Sequence, residues 1–146
     1  MKSTFVSSAQ AQERWVIYDA SEHTLGRMAS KIAMQLMGKD RPTYTANQLT
    51  GAHVVVIHAE KARTTGVKAE TKTYAHYTGY AGGRKDVAME RVRAVRPEDI
   101  VWLAVRRMLP KTKLGHDMLR QLKVYKGAEH PHTAQKPVKQ APTAKK

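Results

Sequence analysis

Two short runs of unbroken apolar and β-branched residues predict the centre of a buried sheet. Trp15-Val16-Ile17-Tyr18 ends at Asp19, and His53-Val54-Val55-Val56-Ile57-His58-Ala59 is apolar on both faces. A strand of the second kind belongs inside a parallel or mixed sheet that is covered on each side. Between the runs the period changes to that of a helix. Leu25, Met28, Ile32 and Leu36 recur at helical spacing behind Thr24, a residue suited to the N-cap, until Gly38 ends the pattern. Arg27, Lys31, Gln35 and Lys39 fall largely on the other face of that helix. Strand, helix and strand in this order imply a right-handed crossover, with the loop from Asp40 to Thr50 leading back to the sheet.

Downstream the pattern is more broken. Lys72-Thr73-Tyr74-Ala75-His76-Tyr77 predicts a third strand with Lys72, Tyr74 and His76 on one face, ended by the turn-rich stretch from Thr78 to Gly83. A short helix is expected from Asp86 through Met89 and Val92 to Val95. Pro97 then takes a helix N1 position, with Glu98 and Asp99 at the positive end of the dipole. Ile100, Leu103, Ala104 and Met108 form the expected apolar face of that helix, and Pro110 closes it. Met118, Leu119 and Leu122 mark a last amphipathic stretch, and Lys123 to Lys126 reads as an edge strand. From His130 to the end there are three prolines, four lysines and no acid, which describes a tail. The expected organisation is a flexible leader over residues 1–13, an α/β body over 14–128, and a basic extension over 129–146. Order is expected from about Arg14 to Tyr125, with disorder beyond.

Charge sharpens this outline. Residues 1–60 carry six Lys and Arg against five Asp and Glu, whereas residues 61–146 carry twenty against seven, so nearly all of the net +14 lies in the second part. A compact chain with that imbalance repels itself unless a polyanion neutralises it, and nucleic acid is the first candidate. The 41% hydrophobic content is too high for a wholly disordered basic protein. The absence of cysteine excludes disulfides and thiolate chemistry. No window approaches 18 apolar residues, so no membrane span is expected.

Two constellations bear on a polyanion. Arg106, Arg107, Lys111 and Lys113 surround a helix end broken by Pro110. The helix dipole rewards the two arginines by about 0.3–1 kcal/mol each, but its effect fades within a turn and leaves the lysines unexplained. Phosphate contact accounts for all four. The segment from Tyr74 to Lys85 interleaves Tyr74, His76, Tyr77 and Tyr80 with three glycines and ends in Arg84-Lys85. Aromatic faces stack on unpaired bases and terminal cations hold phosphates, although the same residues also suit an ordinary glycine turn with tyrosines packed on a sheet.

Enzymatic readings find less. Gly79-x-x-Gly82-Gly83 matches neither a Walker A loop nor a dinucleotide fingerprint, which speaks against a nucleotide cofactor and against a small nucleotide-processing enzyme. His130-Pro131-His132 beside Glu129 lacks a complete ligand set for a metal. Ser30 lies inside the first helix, no Gly-x-Ser-x-Gly occurs, and no carboxylate pair stands out, so no catalytic residues and no cofactor are assigned.

Ordered strings through most of the chain carry a family resemblance. They include Thr24-Leu25-Gly26-Arg27-x-Ala29-Ser30, Gly38-Lys39-x-x-Pro42-Thr43-Tyr44-Thr45, Ile57-x-Ala59-Glu60-Lys61 and Thr64-x-Gly66-x-Lys68. Further on stand His76-Tyr77-x-Gly79-Tyr80-x-Gly82-Gly83, Met108-Leu109-Pro110-Lys111-x-Lys113-Leu114-Gly115, and the run from Leu122-Lys123-Val124-Tyr125 to Lys136-Pro137. From about Arg14 to Pro137 the chain resembles the bacterial large-subunit ribosomal protein thirteen family. Leu49, Ala52 and His58 depart from the usual pattern, the last standing where an asparagine is usual.

The resemblance implies a three-layer α/β/α domain with a small, mainly parallel four-stranded sheet. It implies a non-enzymatic constituent of the cytoplasmic large ribosomal subunit that binds large-subunit rRNA, meets neighbouring large-subunit proteins and supports early subunit assembly. Messenger RNA is the alternative polyanion. The family's RNA-facing motifs carry over onto Arg27, Lys39 and Arg41, onto His76, Tyr77, Tyr80, Arg84 and Lys85, onto Arg106, Arg107, Lys111 and Lys113, and onto His130, His132 and Lys136. Lys61, Lys68, Arg120 and Lys123 complete the candidate RNA-binding set.

Overall fold

The computed structural model describes residues 13–141, so the expected leader, apart from Glu13, and the terminal lysines lie outside the described residues. Strand β1 (Trp15–Asp19) pairs in parallel with β2 (His53–Ile57), Trp15 opposite His53 and Asp19 opposite Ile57. Helix α1 (Leu25–Met37) connects them and buries Leu25, Met28, Ala29, Ile32, Ala33 and Leu36 against Val16, Tyr18, Val54 and Val56. Gly38 ends α1 with φ 78°, a left-handed conformation that favours glycine, and its amide turns back to Gln35 O at 3.1 Å. Gln35 differs from the expected outward face. It is half-buried and accepts the Tyr18 hydroxyl at 3.0 Å, because the polar end of Tyr18 needs a partner inside the fold.

A 3₁₀ turn (Ala59–Lys61) follows β2, entered through His58 at φ 54°. Asparagine tolerates this left-handed region best among residues with a side chain, and histidine is among the few others enriched there, so the departure at this position keeps the backbone requirement. Helix α2 (Lys68–Thr71) leads into β3 (Thr73–Tyr77), which forms an antiparallel ribbon with β4 (Arg84–Ala88), Tyr77 opposite Arg84. Two expectations change here. The third strand stays outside the main sheet, and Asp86 stands in β4 opposite Ala75 instead of starting a helix. The segment 84–88 has no strong local preference, and cross-strand pairing with β3 decides its state. Helix α3 (Met89–Val95) begins only after the ribbon.

Helix α4 (Pro97–Met108) has Pro97 at its start, Glu98 and Asp99 in its first turn and Arg106 and Arg107 in its last, as the dipole favours. Its buried stripe is Pro97, Ile100, Val101 and Val105. Leu103 and Ala104 are only partly covered and Met108 is exposed, a correction to the expected face. Helix α4 packs on α1, α3, the 3₁₀ turn and β5, and Pro97, Val101 and Val105, one turn apart, set a buried stripe that is rotated from the expected one. Helix α5 (Lys113–Arg120) and strands β5 (Leu122–Val124) and β6 (Val138–Lys139) complete the chain.

The main sheet has the order β5-β2-β1-β6 and is parallel throughout, which gives the expected α/β class with four strands. The steps from β1 to β2 and from β2 to β5 run in one direction, so right-handed crossovers put their helices on one face. Residues of α1, α4 and α5 accordingly share a single core with Val16, Tyr18, Val54 and Val56. The return from β5 to β6 runs the other way, and its connection belongs to the opposite face. That connection, residues 125–137, contains no helix, so the expected third layer is an irregular arm. The arm also corrects the expectation of disorder beyond Tyr125. Val138 and Lys139 pair with Val16 and Ile17, Gln140 N donates to Ile17 O at 3.0 Å, and Lys139 reaches Glu22 at 2.6 Å. Among the described residues no helix is long and apolar enough to cross a membrane.

Acid is expected to weaken this body. Burial holds the His23 imidazole below its ordinary value of 6.5, with Lys31 acting in the same direction, and burial also lowers His53. Both rings resist protonation in the fold and accept a proton more readily once unfolded. The stability tied to their neutral forms is therefore complete above pH ~6.5 and is lost as the pH falls through the lowered folded values. Calorimetry should give a lower Tm at pH 5.0 than at pH 7.5, with a smaller drop in His23→Gln; an equal or higher Tm at pH 5.0 would contradict the assignment.

Candidate nucleic-acid interface

The cation cluster at the end of α4 is held by aromatic rings. Arg106 lies over the Trp102 ring at 5.2 Å, while Arg107 and Lys72 lie over Tyr74 at 5.7 and 5.4 Å. Such contacts contribute about 0.5–1 kcal/mol at exposed sites and fix a cation without neutralising it. Tyr74 itself is buried, and among the described residues its hydroxyl has no hydrogen-bond partner, an arrangement that costs about 1–3 kcal/mol. Burial raises the phenol's pKa, and Arg107 and Arg93 pull it back. Beyond α4, Thr112 Oγ1 accepts Gly115 N at 3.3 Å as the N-cap of α5, which sets the course of the loop carrying Lys111.

Two adjoining grooves meet at Tyr74 and Arg107. One, of about 610 Å³, runs between β3 and the α4–α5 junction and is edged by His76, Arg106, Arg107, Lys111 and His116, with Asp99 as its acid. The other, of about 620 Å³, lies between the start of α1 and the end of α4 and is edged by Arg27, Arg63, Lys68, Lys72 and Arg107, with no acid among the described residues. Chain segments far apart in sequence supply these cations. Thr24 and Arg63 form a parallel bridge in which Leu25 N donates to Arg63 O at 2.8 Å, and this seats Arg63 beside the first turn of α1. Arg63 and His116 were missed as site residues, and Lys72 was read only as part of a strand. The string Thr64-x-Gly66-x-Lys68 beside Arg63 was the one available signal.

The ribbon ends in a turn closed by Thr78 N to Gly83 O at 3.1 Å and Gly83 N to Tyr80 O at 2.9 Å. Gly79 and Gly82 have φ 92° and 69°, so the turn requires glycine at both. Tyr77 and Tyr80 are 62% and 79% exposed, leaving their ring faces free for stacking, unlike buried Tyr74. His76 and Lys85 are exposed on the same ribbon, and Arg84 is paired with Asp86 at 3.0 Å.

The remaining candidates lie outside the two grooves. Lys39 sits over the Tyr44 ring at 5.9 Å in the loop after α1, near half-buried Arg41. Lys61 is exposed in the 3₁₀ turn, Lys113 at the start of α5 and Lys123 on edge strand β5, while Arg120 is paired with Asp117 at 3.1 Å. His130 and His132 are half-buried in an aromatic cluster of the arm. Tyr125 Oη lies 2.8 Å from His132 Nε2, the His132 ring centroid is 5.0 Å from that of Trp15, and Trp15 stacks on His53 at 4.5 Å. Their visible role is to hold the arm against the sheet. Lys136 is exposed on the arm with φ 46°.

A packed parallel α/β body with cation-edged grooves along one side has the form of a surface suited to a polyanion. The comparisons make this specific: residues 13–131 match the family described as Ribosomal protein L13, and the chain belongs to that family. A relative called large ribosomal subunit protein uL13 from Francisella tularensis subsp. novicida is 47% identical over 137 residues, covering 94% of this chain and 96% of the relative. The protein of that name from Caldanaerobacter subterraneus subsp. tengcongensis is 48% identical over 139 residues, 95% and 97% of the two chains. One from Pseudomonas aeruginosa is 48% identical over 137 residues, 94% and 96% of the two chains.

Proposed function

We propose that the chain is a structural, non-enzymatic constituent of the large ribosomal subunit that binds large-subunit rRNA and supports early subunit assembly. The observation that carries the RNA contact is the pair of grooves joined at Arg107, within a chain whose family match runs over residues 13–131. The grooves place cations from α1, the 63–72 segment, α4 and the α4–α5 loop at fixed separations on one body. Phosphates from different RNA helices held against them lose condensed counterions, and the rigid body sets the distance between the helices. The exposed tyrosines at the ribbon tip add stacking surfaces for unpaired bases. Neighbouring large-subunit proteins are the second class of partner.

If about 6–10 phosphates are engaged, affinity for a large-subunit rRNA fragment should fall about 10³- to 10⁵-fold between ~50 and ~200 mM salt. Equilibrium binding across that range measures the slope, and a flat dependence would remove the phosphate interface. Co-sedimentation with large subunits after a high-salt wash tests the assembly itself. Competition with a messenger leader addresses the alternative polyanion, since equal affinity for both RNAs would take away the preference for rRNA.

A further inference from the structure

The arm from β5 to β6 runs on the face of the sheet opposite α1, α4 and α5, and it is fastened in three places. Its start is tied by backbone bonds. Tyr125 N donates to Val56 O at 2.8 Å, and the amides of Ala59 and His58 donate to Tyr125 O and Gly127 O at 3.1 and 2.9 Å. Its far end is held lightly: β6 pairs with β1 over two residues, Val138 and Lys139 are exposed, and Lys139 meets Glu22 at the surface. The turn before β6 keeps Lys136 at φ 46°, a conformation uncommon for lysine. Between these ends the arm is closed by rings. His132 lies against Trp15 at 5.0 Å, its Nε2 is 2.8 Å from Tyr125 Oη, and His130 stands 6.4 Å from the Tyr125 and His132 rings.

This closure needs neutral imidazoles. The His132 amide donates to His130 Nδ1 at 3.2 Å, so that nitrogen must keep its lone pair, and a proton there turns the acceptor into a second donor. On the sheet side, His53 stacks at 4.5 Å on the same indole that His132 touches. Burial holds its pKa below the ordinary value, with Lys123 and His132 acting in the same direction and Glu13 against them. Trp15 and His53 are register partners in β1 and β2, so their stack, and any attraction of the indole for a charged ring, is the same with the arm on or off. Repulsion between His53 and His132 exists only while the arm is docked.

We propose that residues 125–140 form an acid-released strap, hinged at Tyr125 and Gly127, latched by His130 and His132 against Trp15, and closed by β6 on the edge of β1. A proton on His130 removes the acceptor inside the latch, and protons on His53 and His132 set two charges against one indole. Both favour the open arm, where the imidazoles of the latch reach water. The part of the closure tied to neutral His53 is complete above pH ~6.5 and is lost as the pH falls through its lowered docked value. Opening frees the hydrogen-bonding edge of β1 and carries Lys136 and Lys139 off the body. The strap belongs to the free chain and does not rest on the ribosomal reading.

Amide hydrogen exchange of the full chain, followed by NMR at pH 7.5 and 5.0 and scaled to free peptide at each pH, tests it. Gln140, which donates to Ile17 O, reports the strap, Tyr125 the hinge, and Val54, which donates to Gln121 O, the body. Protection of Gln140 is expected to fall at least about five-fold at pH 5.0 beyond any fall at Tyr125 and Val54. His132→Ala should release Gln140 already at pH 7.5 and leave Val54 protected. His53→Phe with His130→Asn keeps a ring on Trp15 and an acceptor in the latch but takes no proton at either place, so Gln140 should stay protected at both pH values. If that double variant is open at pH 7.5, His130→Asn alone takes its place and should show less than about half the wild-type fall. Equal protection of Gln140 at the two pH values in the wild type, a fall in step with Val54, the full wild-type fall in the variant without those protons, or a protected Gln140 in His132→Ala overturns the strap.

Discussion

Replacing Arg106 and Arg107 together with alanine is expected to weaken binding to a large-subunit rRNA fragment about 100-fold at ~100 mM salt and to lower the salt slope by about two. Arg107 borders both grooves and Arg106 borders one, so the pair removes cations from the place where the two surfaces meet. Charge-assisted hydrogen bonds contribute about 1.5–3 kcal/mol each, and the lower end of that range already gives the factor stated. Lys72, Lys111 and Lys68 stay in place and keep part of the field, which is why binding weakens without vanishing. Arg106→Lys with Arg107→Lys should preserve the slope. Arg84→Ala and Arg120→Ala, whose partners are Asp86 and Asp117, should change affinity less than about three-fold. Filter binding at several salt concentrations, with a melting curve for each variant, separates lost contacts from lost packing. Equal affinity and slope in the double alanine variant would place the RNA elsewhere on the molecule.

Gly115→Ala is expected to cost about 3 kcal/mol, roughly 10 °C in Tm for a chain of this size. An added Cβ would stand inside the van der Waals shell of Pro110 O, a backbone atom that cannot swing aside as a flexible side chain would. Relief requires the Pro110–Thr112 loop to separate from α5, which breaks the Thr112 Oγ1 bond to Gly115 N and uncovers Leu109, Met118 and Leu119. The same movement displaces Lys111, so rRNA affinity should fall with stability. Gly26→Ala is the contrasting substitution. Nothing lies within 4 Å of the position its Cβ would take, and alanine in a helix is preferred to glycine by about 0.5–1 kcal/mol, so its Tm should hold or rise. A Gly115→Ala protein that melts with the wild type would show that the loop and α5 do not depend on each other.

Much of the scaffold was legible because its cause is local. The helical spacing from Leu25 to Leu36, Gly38 beyond it, the unbroken Val54-Val55-Val56 and the Pro97-Glu98-Asp99 start each act within a few residues, and each element stands where its signal lies. The ribbon was less legible. Arg84 to Ala88 carries no apolar alternation of its own, and its extended state depends on β3 pairing with it. The arm was misread for a related reason: a proline- and lysine-rich stretch lacks the pattern of a core element, yet parallel hydrogen bonds to β1 and the Trp15–His132 contact suffice to dock it.

The candidate site divides along the same line. Arg106, Arg107 and Lys111 could be picked out because they cluster in the chain, and the exposed ribbon tyrosines because glycines flank them. Arg63, two residues after Lys61, and His116, three after Lys113, gave no sign in the chain of which groove they edge, and nothing in the spacing separated Tyr77 and Tyr80, which face outward, from Tyr74, which is buried.

Periodicity and capping residues thus determined, from the sequence alone, an α/β body, and charge asymmetry made a polyanion the first candidate for its partner. Family strings extended that to a ribosomal role. Tertiary structure alone decided that Arg27, Arg63, Lys68, Lys72 and Arg107 edge one groove, that Tyr74 forms its shared wall, and that the C-terminal arm closes the sheet as β6. The physical reason is range. Helix and strand propensities and capping act between residues a few positions apart, whereas a groove exists only when the crossovers bring distant segments side by side, and electrostatic fields then add through space rather than along the chain.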